Sequence, residues 1–171
     1  MTSRLIPKIR TATRDDAEAV ARIYINSWNL GFGELMSQAD RTVTAELVGR
    51  WKNYLAQPAP HRWWVAEHLG SIIGFAGIGP SRHPVDPELG ELYTIAIDPP
   101  YWRRGIGKAL ISLALQHLVS DGYREAILWT VEGYERGIAF YEAMGWSRDG
   151  GVRDNGRQIR FRRDLAKSRV R

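Results

Sequence analysis

Residues 98–110 read Asp98-Pro-Pro-Tyr-Trp-Arg-Arg-Gly-Ile-Gly-Lys-Ala-Leu110, and this stretch decides the fold. It joins an apolar, strand-like run, residues 91–97, to an apolar helical pattern that begins at Ile106. The first N–H groups of a helix have no partner inside it and lie at its positive end. A strand that enters a helix through a basic, glycine-containing loop is therefore suited to bind an anion.

The composition of this loop favours phosphate as the anion. Gly105 and Gly107 let the backbone approach a phosphate closely. Arg103, Arg104 and Lys108 add positive charge that attracts it. The stretch therefore predicts a phosphate-binding loop, with a tight strand-to-helix turn that merely needs two glycines as the alternative.

Spacing excludes two other phosphate-binding motifs. A P-loop requires glycine and Ser or Thr at the places that hold Trp102 and Ala109. A dinucleotide fingerprint that starts at Gly105 requires a third small residue where the chain has Leu110. The loop therefore belongs to neither class.

A second informative segment follows the helix. Residues 125–131 form a mostly apolar run of strand length. The chain then reads Glu132-Gly-Tyr-Glu-Arg-Gly-Ile-Ala-Phe-Tyr-Glu-Ala-Met-Gly-Trp146. This pattern indicates a turn, a short helix and a glycine just beyond the helix end.

Together, the two segments resemble the GNAT superfamily of N-acetyltransferases, which transfer an acetyl group from acetyl-CoA to an amine. The matching residues are Glu91-Leu-Tyr-Thr-Ile-Ala-Ile-Asp-Pro-Pro-Tyr-Trp-Arg-Arg-Gly-Ile-Gly107 and Glu135-Arg-Gly-Ile-Ala-Phe-Tyr-Glu-Ala-Met-Gly-Trp146, and a weaker resemblance extends over residues 8–165. Two positions depart from the family pattern. Trp102 replaces the usual Gln or Arg, and Tyr134 replaces an Asn that touches the pantetheine arm in many relatives.

The predicted elements follow the order β-α-α-β-β-β-α-β-α-β-β. Strands are predicted at residues 8–12, 62–68, 71–78, 91–97, 125–131, 146–153 and 157–164, helices at 14–29, 42–55 and 105–121 and after 135, and a loop at 80–87. This order predicts an α/β (α+β) fold: a mixed, mostly antiparallel sheet of about seven strands with helices on both faces.

The resemblance implies that two of these strands, residues 91–97 and 125–131, run parallel but splay apart. The pantetheine arm of the coenzyme would enter the gap between them. Its expected partners are the backbone groups of Ile95, Ala96 and Ile97, whose N–H groups are also candidates to stabilise an oxyanion. Ile106 and Tyr134 complete the expected coenzyme-binding set.

The resemblance also implies two catalytic side chains. Because a simple alkylammonium has a pKa near ~10, the enzyme must remove a proton before the amine attacks. Glu91 is expected to accept that proton through a water molecule, with Glu88 as the nearest competitor and a surface strand-end role as the alternative. Tyr141 is expected to protonate the departing thiolate, although its spacing also suits a core aromatic residue.

The acceptor side is expected to include the first helix and the loop after it, where Trp28, Phe32 and Glu34 lie. Trp28 equally suits the core, and Glu34 equally suits loop surface. The four histidines are scattered without metal-ligand spacing, so no metal is predicted.

Composition places the chain among soluble globular proteins. It has 171 residues, of which 44% are hydrophobic and 25% charged, and no apolar run approaches the ~20 residues of a membrane span. We expect one domain over residues 1–171, with a core at about 8–165 and a frayed basic tail at 166–171. The absence of cysteine excludes disulfides and thiolate chemistry, and it fits a cytoplasmic protein.

The net charge of +5 is concentrated at the C-terminus, where residues 157–171 hold seven basic side chains and one acidic one. A solvated last strand explains this charge better than nucleic-acid binding does. A nucleic-acid-binding segment would place several aromatic residues among the basic ones, and residues 157–171 contain only Phe161.

We therefore predict an N-acetyltransferase that transfers acetyl from acetyl-CoA to a primary amine of a small molecule or peptide, without an acyl-enzyme. We expect neither a membrane nor a nucleic acid as a binding partner, and a homodimer is compatible with the sequence. A catalytically silent CoA-binding sensor is the alternative.

Overall fold

The computed structural model describes residues 4–36 and 41–166, so most of the predicted basic tail lies outside the described residues. The strands are β1 (Lys8–Thr11), β2 (Arg62–His68), β3 (Ser71–Arg82), β4 (Val85–Ile97), β5 (Glu125–Val131), β6 (Ser147–Arg153) and β7 (Gln158–Asp164). The helices are α1 (Ala17–Gly31), α2 (Ala45–Leu55), α3 (Ile106–Ser120) and α4 (Glu135–Ala143), with short 3₁₀ turns at Arg14–Asp16 and Pro99–Tyr101.

The seven strands form one sheet in the order β1-β2-β3-β4-β5-β7-β6. Every neighbouring pair is antiparallel except β4 and β5, which run parallel across the crossover helix α3. The predicted element order and the mixed, mostly antiparallel sheet are confirmed.

Helices cover both faces of the sheet. On one face α3 packs its apolar stripes into the larger core, with Ile106, Leu110 and Leu118 at most 1% exposed. On the other face α1 and α2 pack around Trp51 and Phe75. Burial of these aliphatic and aromatic side chains supplies most of the driving force for this arrangement.

The splay between β4 and β5 is visible in their pairing. The two strands pair only at Gly90↔Ala126 and Glu91↔Ile127. Directly afterwards β4 carries a bulge at Tyr93, where its register to β3 shifts. Because a bulge bends and twists its strand, the remainder of β4 turns away from β5. The predicted splayed parallel pair is thereby confirmed.

The predicted loop at residues 80–87 is wrong for most of its length, because β3 continues to Arg82 and β4 already begins at Val85. The prolines in this region suggested a break in the sheet. The register between β3 and β4 jumps at this point, because Pro80 pairs with Gly90 whereas Ser81 pairs with Asp86. Pro87 lies between these two partners and has no partner of its own in β3. Proline has no N–H to donate, and at this position no donor is required.

The second helix begins three residues later than predicted. Thr44 caps α2, since its hydroxyl oxygen accepts a hydrogen bond from the Leu47 N–H at 3.1 Å. A threonine at this position satisfies one of the free N–H groups of the first turn and fixes where the helix starts.

Candidate active site

The loop between β4 and α3 presents backbone N–H groups at the helix start. Gly105 caps the helix with φ of 87°, and Arg103 also has a left-handed φ of 63°. The first hydrogen bond of α3 runs from the Ala109 N–H to the Gly105 carbonyl, which leaves the N–H groups of residues 106–108 without helical acceptors. The predicted anion-binding geometry is therefore present at the backbone level.

Helix α1 holds the beginning of this loop in place. The carboxylate of Asp98, which is buried, accepts hydrogen bonds from Arg22 at 2.9 Å and from Asn26 at 3.1 Å. The Ser27 hydroxyl donates to the Ile97 carbonyl at 2.9 Å. These contacts fix the end of β4 relative to α1.

Trp102 contributes through its indole ring. Its Nε1–H donates to the Ile97 carbonyl at 2.7 Å, and the Arg136 guanidinium lies 4.1 Å from the ring centroid. Trp102 therefore links the loop, the end of β4 and α4.

A cavity of about 760 Å³ opens between the end of β4, the start of α3 and helix α4. Of the predicted site residues, Trp28, Phe32, Ile95, Ala96, Ile97, Arg103, Gly105, Ile106, Gly107, Lys108, Tyr134 and Tyr141 line it. We call it the coenzyme cavity. Arg103, Lys108 and Arg136 make its lining basic, and the described part of that lining contains no Asp or Glu.

Three predicted residues lie outside this lining. Arg104 places its guanidinium 5.8 Å from the Tyr101 ring centroid, and its carbonyl accepts a hydrogen bond from the Leu5 N–H. Glu34 is exposed on the turn after α1. Glu91 lies in β4, beside the start of the splay.

Tyr141 and Tyr134 stand together in the coenzyme cavity. Burial raises the pKa of the Tyr141 phenol above its ordinary value, and Tyr134 raises it further. Burial also raises the pKa of Tyr134, while Arg136 opposes that change. Both phenols therefore keep their protons at neutral pH, so either can donate one.

Two glycines make room for the ring of Tyr134. A Cβ on Gly31 would lie 3.3 Å from the Tyr134 ring, and one on Gly137 would overlap that ring. Phe32 packs edge-on against Tyr134 with ring centroids 4.6 Å apart. Tyr134 thus joins α1 to α4 across the mouth of the cavity.

The carboxylate of Glu91 is buried and hydrogen-bonded to Arg82. It accepts a hydrogen bond from the backbone N–H of Arg82 at 2.7 Å and from its guanidinium at 3.1 Å. The Arg82 guanidinium lies 3.9 Å from the centroid of the Tyr93 ring. Glu91 therefore sits directly behind two residues, Arg82 and Tyr93, that face a second cavity.

This second cavity, of about 620 Å³, lies on the α1–α2 side of the sheet. Its lining comprises Tyr24, Ile25, Arg41, Thr42, Thr44, Leu47, Arg50, Trp51, Tyr54, Trp63, Arg82, Tyr93 and Thr94. We call it the acceptor cavity, after the role proposed for it below. Tyr24 and Thr94 line both cavities, so the two spaces adjoin at these residues.

The sequence alone did not predict the acceptor cavity or nine of the residues that line the coenzyme cavity, among them Arg136 and Phe140. These last two lie four residues apart on α4, a spacing that places side chains on one helical face. Neither lies three or four residues from Tyr141, so the assignment of Tyr141 to the site gave no signal for them.

Neither a metal site nor a membrane-spanning helix is found among the described residues. No group of three or more His, Asp or Glu side chains within residues 4–36 and 41–166 is arranged to hold a metal ion. None of the helices in the same part of the chain is long and apolar enough to cross a membrane.

Comparison with known proteins identifies the family. The model of the acetyltransferase (GNAT) family matches residues 18–146. The uncharacterized N-acetyltransferase YuaI of Bacillus subtilis is 26% identical over 142 residues, which cover 82% of this chain and 80% of the relative. Human N-acetyltransferase 8 is 30% identical over 124 residues, 72% of this chain but only 54% of that protein.

The fold comparison agrees. The crystal structure of PaiA N-acetyltransferase from Thermoplasma acidophilum in complex with coenzyme A superimposes with a TM-score of 0.74, at 17% identity, over 94% of this chain and 99% of that one. The chain belongs to the GNAT family, and it is an N-acetyltransferase.

Proposed function

We propose that this enzyme transfers the acetyl group of acetyl-CoA directly to the primary amine of a small molecule or peptide. The observation that carries the proposal is the basic coenzyme cavity, which joins free helix N–H groups to the splayed end of β4. A CoA molecule carries phosphates at one end and an amide-rich arm at the other, so its two ends match these two features.

The donor would be held mainly by backbone groups. We assign the diphosphate to the N–H groups of residues 106–108, with Arg103 and Lys108 contributing charge. The pantetheine arm would pair with Ile95 along the splayed strand, because the backbone groups of Ala96 face Phe75 of β3. The Ile97 carbonyl already accepts two hydrogen bonds, so only its N–H remains for the substrate.

Direct attack requires a neutral amine, a stabilised oxyanion and a protonated leaving group. We assign oxyanion stabilisation to a backbone N–H of residues 95–97. Tyr141 would donate its phenolic proton to the sulfur as the C–S bond breaks, because its raised pKa keeps that proton in place. The proton from the amine would pass through water to Glu91.

Replacing Glu91 by Gln tests the assigned base. If Glu91 accepts the proton, kcat should fall about a hundredfold or more. The matched control is Glu88→Gln, an exposed carboxylate three residues earlier, which should leave kcat unchanged. A Glu91→Gln enzyme with an unaltered kcat would remove Glu91 as the base.

The proposed activity as a whole is tested by thiol release from acetyl-CoA over a panel of amines. We expect release that depends on the amine, and an acetylated product detectable by mass spectrometry. A second candidate function, a silent acyl-CoA sensor, is favoured by the lack of any His, Asp or Glu among the described residues that line the two cavities. Tight acetyl-CoA binding without turnover on any amine would select the sensor.

A further inference from the structure

Arginines are the only charged side chains in the described lining of the acceptor cavity. Arg41, Arg50 and Arg82 line it, and no Asp or Glu of the described chain does so. This lining repels a polycationic amine and attracts an amine that also carries an anion. Resting on the function proposed above, we infer that the acceptor is an α-amino acid or a close analogue, whose carboxylate binds to Arg50 and Arg82.

Arg82 is already oriented for such a contact. Its guanidinium is fixed by the hydrogen bond to Glu91 and by stacking on the Tyr93 ring at 3.9 Å. The guanidinium has five N–H donors, of which Glu91 takes one, so donors remain for a ligand. A planar, pre-oriented guanidinium binds a carboxylate in two-point geometry.

Arg50 supplies the second charge. It lies on the exposed side of α2, and its side chain forms no hydrogen bond or ion pair with any residue that the structure describes. An arginine that lines a cavity without an acidic neighbour in the described chain is available to an anionic ligand. Arg41 differs, since its guanidinium lies 3.9 Å from the Trp28 ring centroid.

The remaining walls suit an apolar side chain on the acceptor. Tyr24 and Tyr54 each contact Trp51 edge-on with ring centroids 5.5 Å apart, and Trp63 closes the floor. A volume of about 620 Å³ lies within the ~300–1,000 Å³ typical of small-molecule sites. A free amino acid fits such a space, with its amine directed to the coenzyme cavity past Tyr24 and Thr94.

The test compares amines that differ only in the carboxylate, at saturating acetyl-CoA. The panel holds the standard L-amino acids with apolar side chains and the amines obtained by removing their carboxylates, such as L-phenylalanine and 2-phenylethylamine. We expect kcat/KM at least about tenfold higher for the best amino acid than for its matched amine, the range of one charge-assisted hydrogen bond. Diamines should be the poorest substrates.

Substitutions then show which arginines cause the preference for the amino acid over its matched amine. Arg50→Gln should raise KM for the amino acid and reduce the preference for it over the matched amine severalfold. Arg82→Gln should do the same, with an added loss through Glu91. The control is Arg157→Gln, the same charge change on an exposed residue of the β6–β7 turn, which should leave the preference unaltered.

The outcomes separate this inference from the proposed function. Equal or better turnover of the plain amines would overturn the amino-acid assignment and leave the acetyltransferase activity standing. If no amine is acetylated, the proposed function fails. Titration of L-phenylalanine into the CoA-saturated protein then tests whether Arg50 and Arg82 bind a carboxylate. Binding that Arg50→Gln weakens supports the site; absent binding, or binding that this variant leaves unchanged, overturns it.

Discussion

Replacing Gly107 by Leu should weaken acetyl-CoA binding by about tenfold to a hundredfold, as expected when a side chain is forced into filled space. Gly107 lines the coenzyme cavity in the first turn of α3. A Cβ there would already lie 3.4 Å from the Phe140 ring and 3.9 Å from Ile97. An isobutyl group must therefore extend into the space that we assign to the diphosphate. Calorimetric titration with acetyl-CoA measures the effect.

A graded series makes this result specific. Gly107→Ala should bind almost normally, because its Cβ makes only ordinary van der Waals contact. Gly49→Leu is the matched control: Gly49 lies within α2, and a Cβ there meets nothing within 4 Å. Thermal unfolding without ligand shows whether each variant is folded. Normal acetyl-CoA affinity in folded Gly107→Leu would refute the placement of the diphosphate.

Replacing Tyr141 by Phe should lower kcat about a hundredfold while acetyl-CoA affinity stays nearly unchanged, in line with the contribution of a positioned general acid. The variant keeps the ring, which packs near Phe140 and Phe161 with centroids 5.5 Å and 6.3 Å away. It removes only the hydroxyl. Single-turnover kinetics with a saturating amine measure the chemical step.

Two further substitutions decide which phenol acts. Tyr134→Phe removes a second phenolic hydroxyl of the same cavity, and Tyr123→Phe removes a buried one that lines neither cavity. We expect a much smaller kcat effect for Tyr134→Phe than for Tyr141→Phe, and none for Tyr123→Phe. A large loss confined to Tyr134→Phe would transfer the proton-donor role to that residue.

The pKa shift sets the pH behaviour of this step. Burial raises the pKa of Tyr141 above the ordinary value of 10, so the phenol stays protonated throughout the neutral and moderately basic range. A proton donor with a raised pKa loses activity only above that pKa. We therefore expect no decline of kcat from loss of this proton between about pH 7 and pH 10.

Local sequence signals were sufficient for most of the fold. The loop glycines, the apolar stripes of α3 and the strand-length runs each act over a few residues, and they predicted the order of all eleven elements. The prediction failed around Pro87, where the decisive fact is a register jump between two strands. Such a jump depends on pairing partners along β3, which no local pattern in β4 reveals.

The two cavities also differ in how much of their lining the sequence predicts. Most of the coenzyme cavity comes from contiguous segments, 94–108 and 134–141, so its residues were predictable together. The acceptor cavity gathers Arg41, Arg50 and Arg82 from a loop, a helix and a strand end. Each arginine alone looks like an ordinary surface charge, and only the packing of α2 over β3 and β4 brings them to one space.

A crystal structure of this protein grown with saturating coenzyme A tests the central claim most directly. We expect the diphosphate within hydrogen-bond distance of the N–H groups of residues 106–108. We expect the pantetheine arm between β4 and β5, beside Ile95 and Ala96. Coenzyme A bound elsewhere on the molecule, with this gap empty, would contradict it.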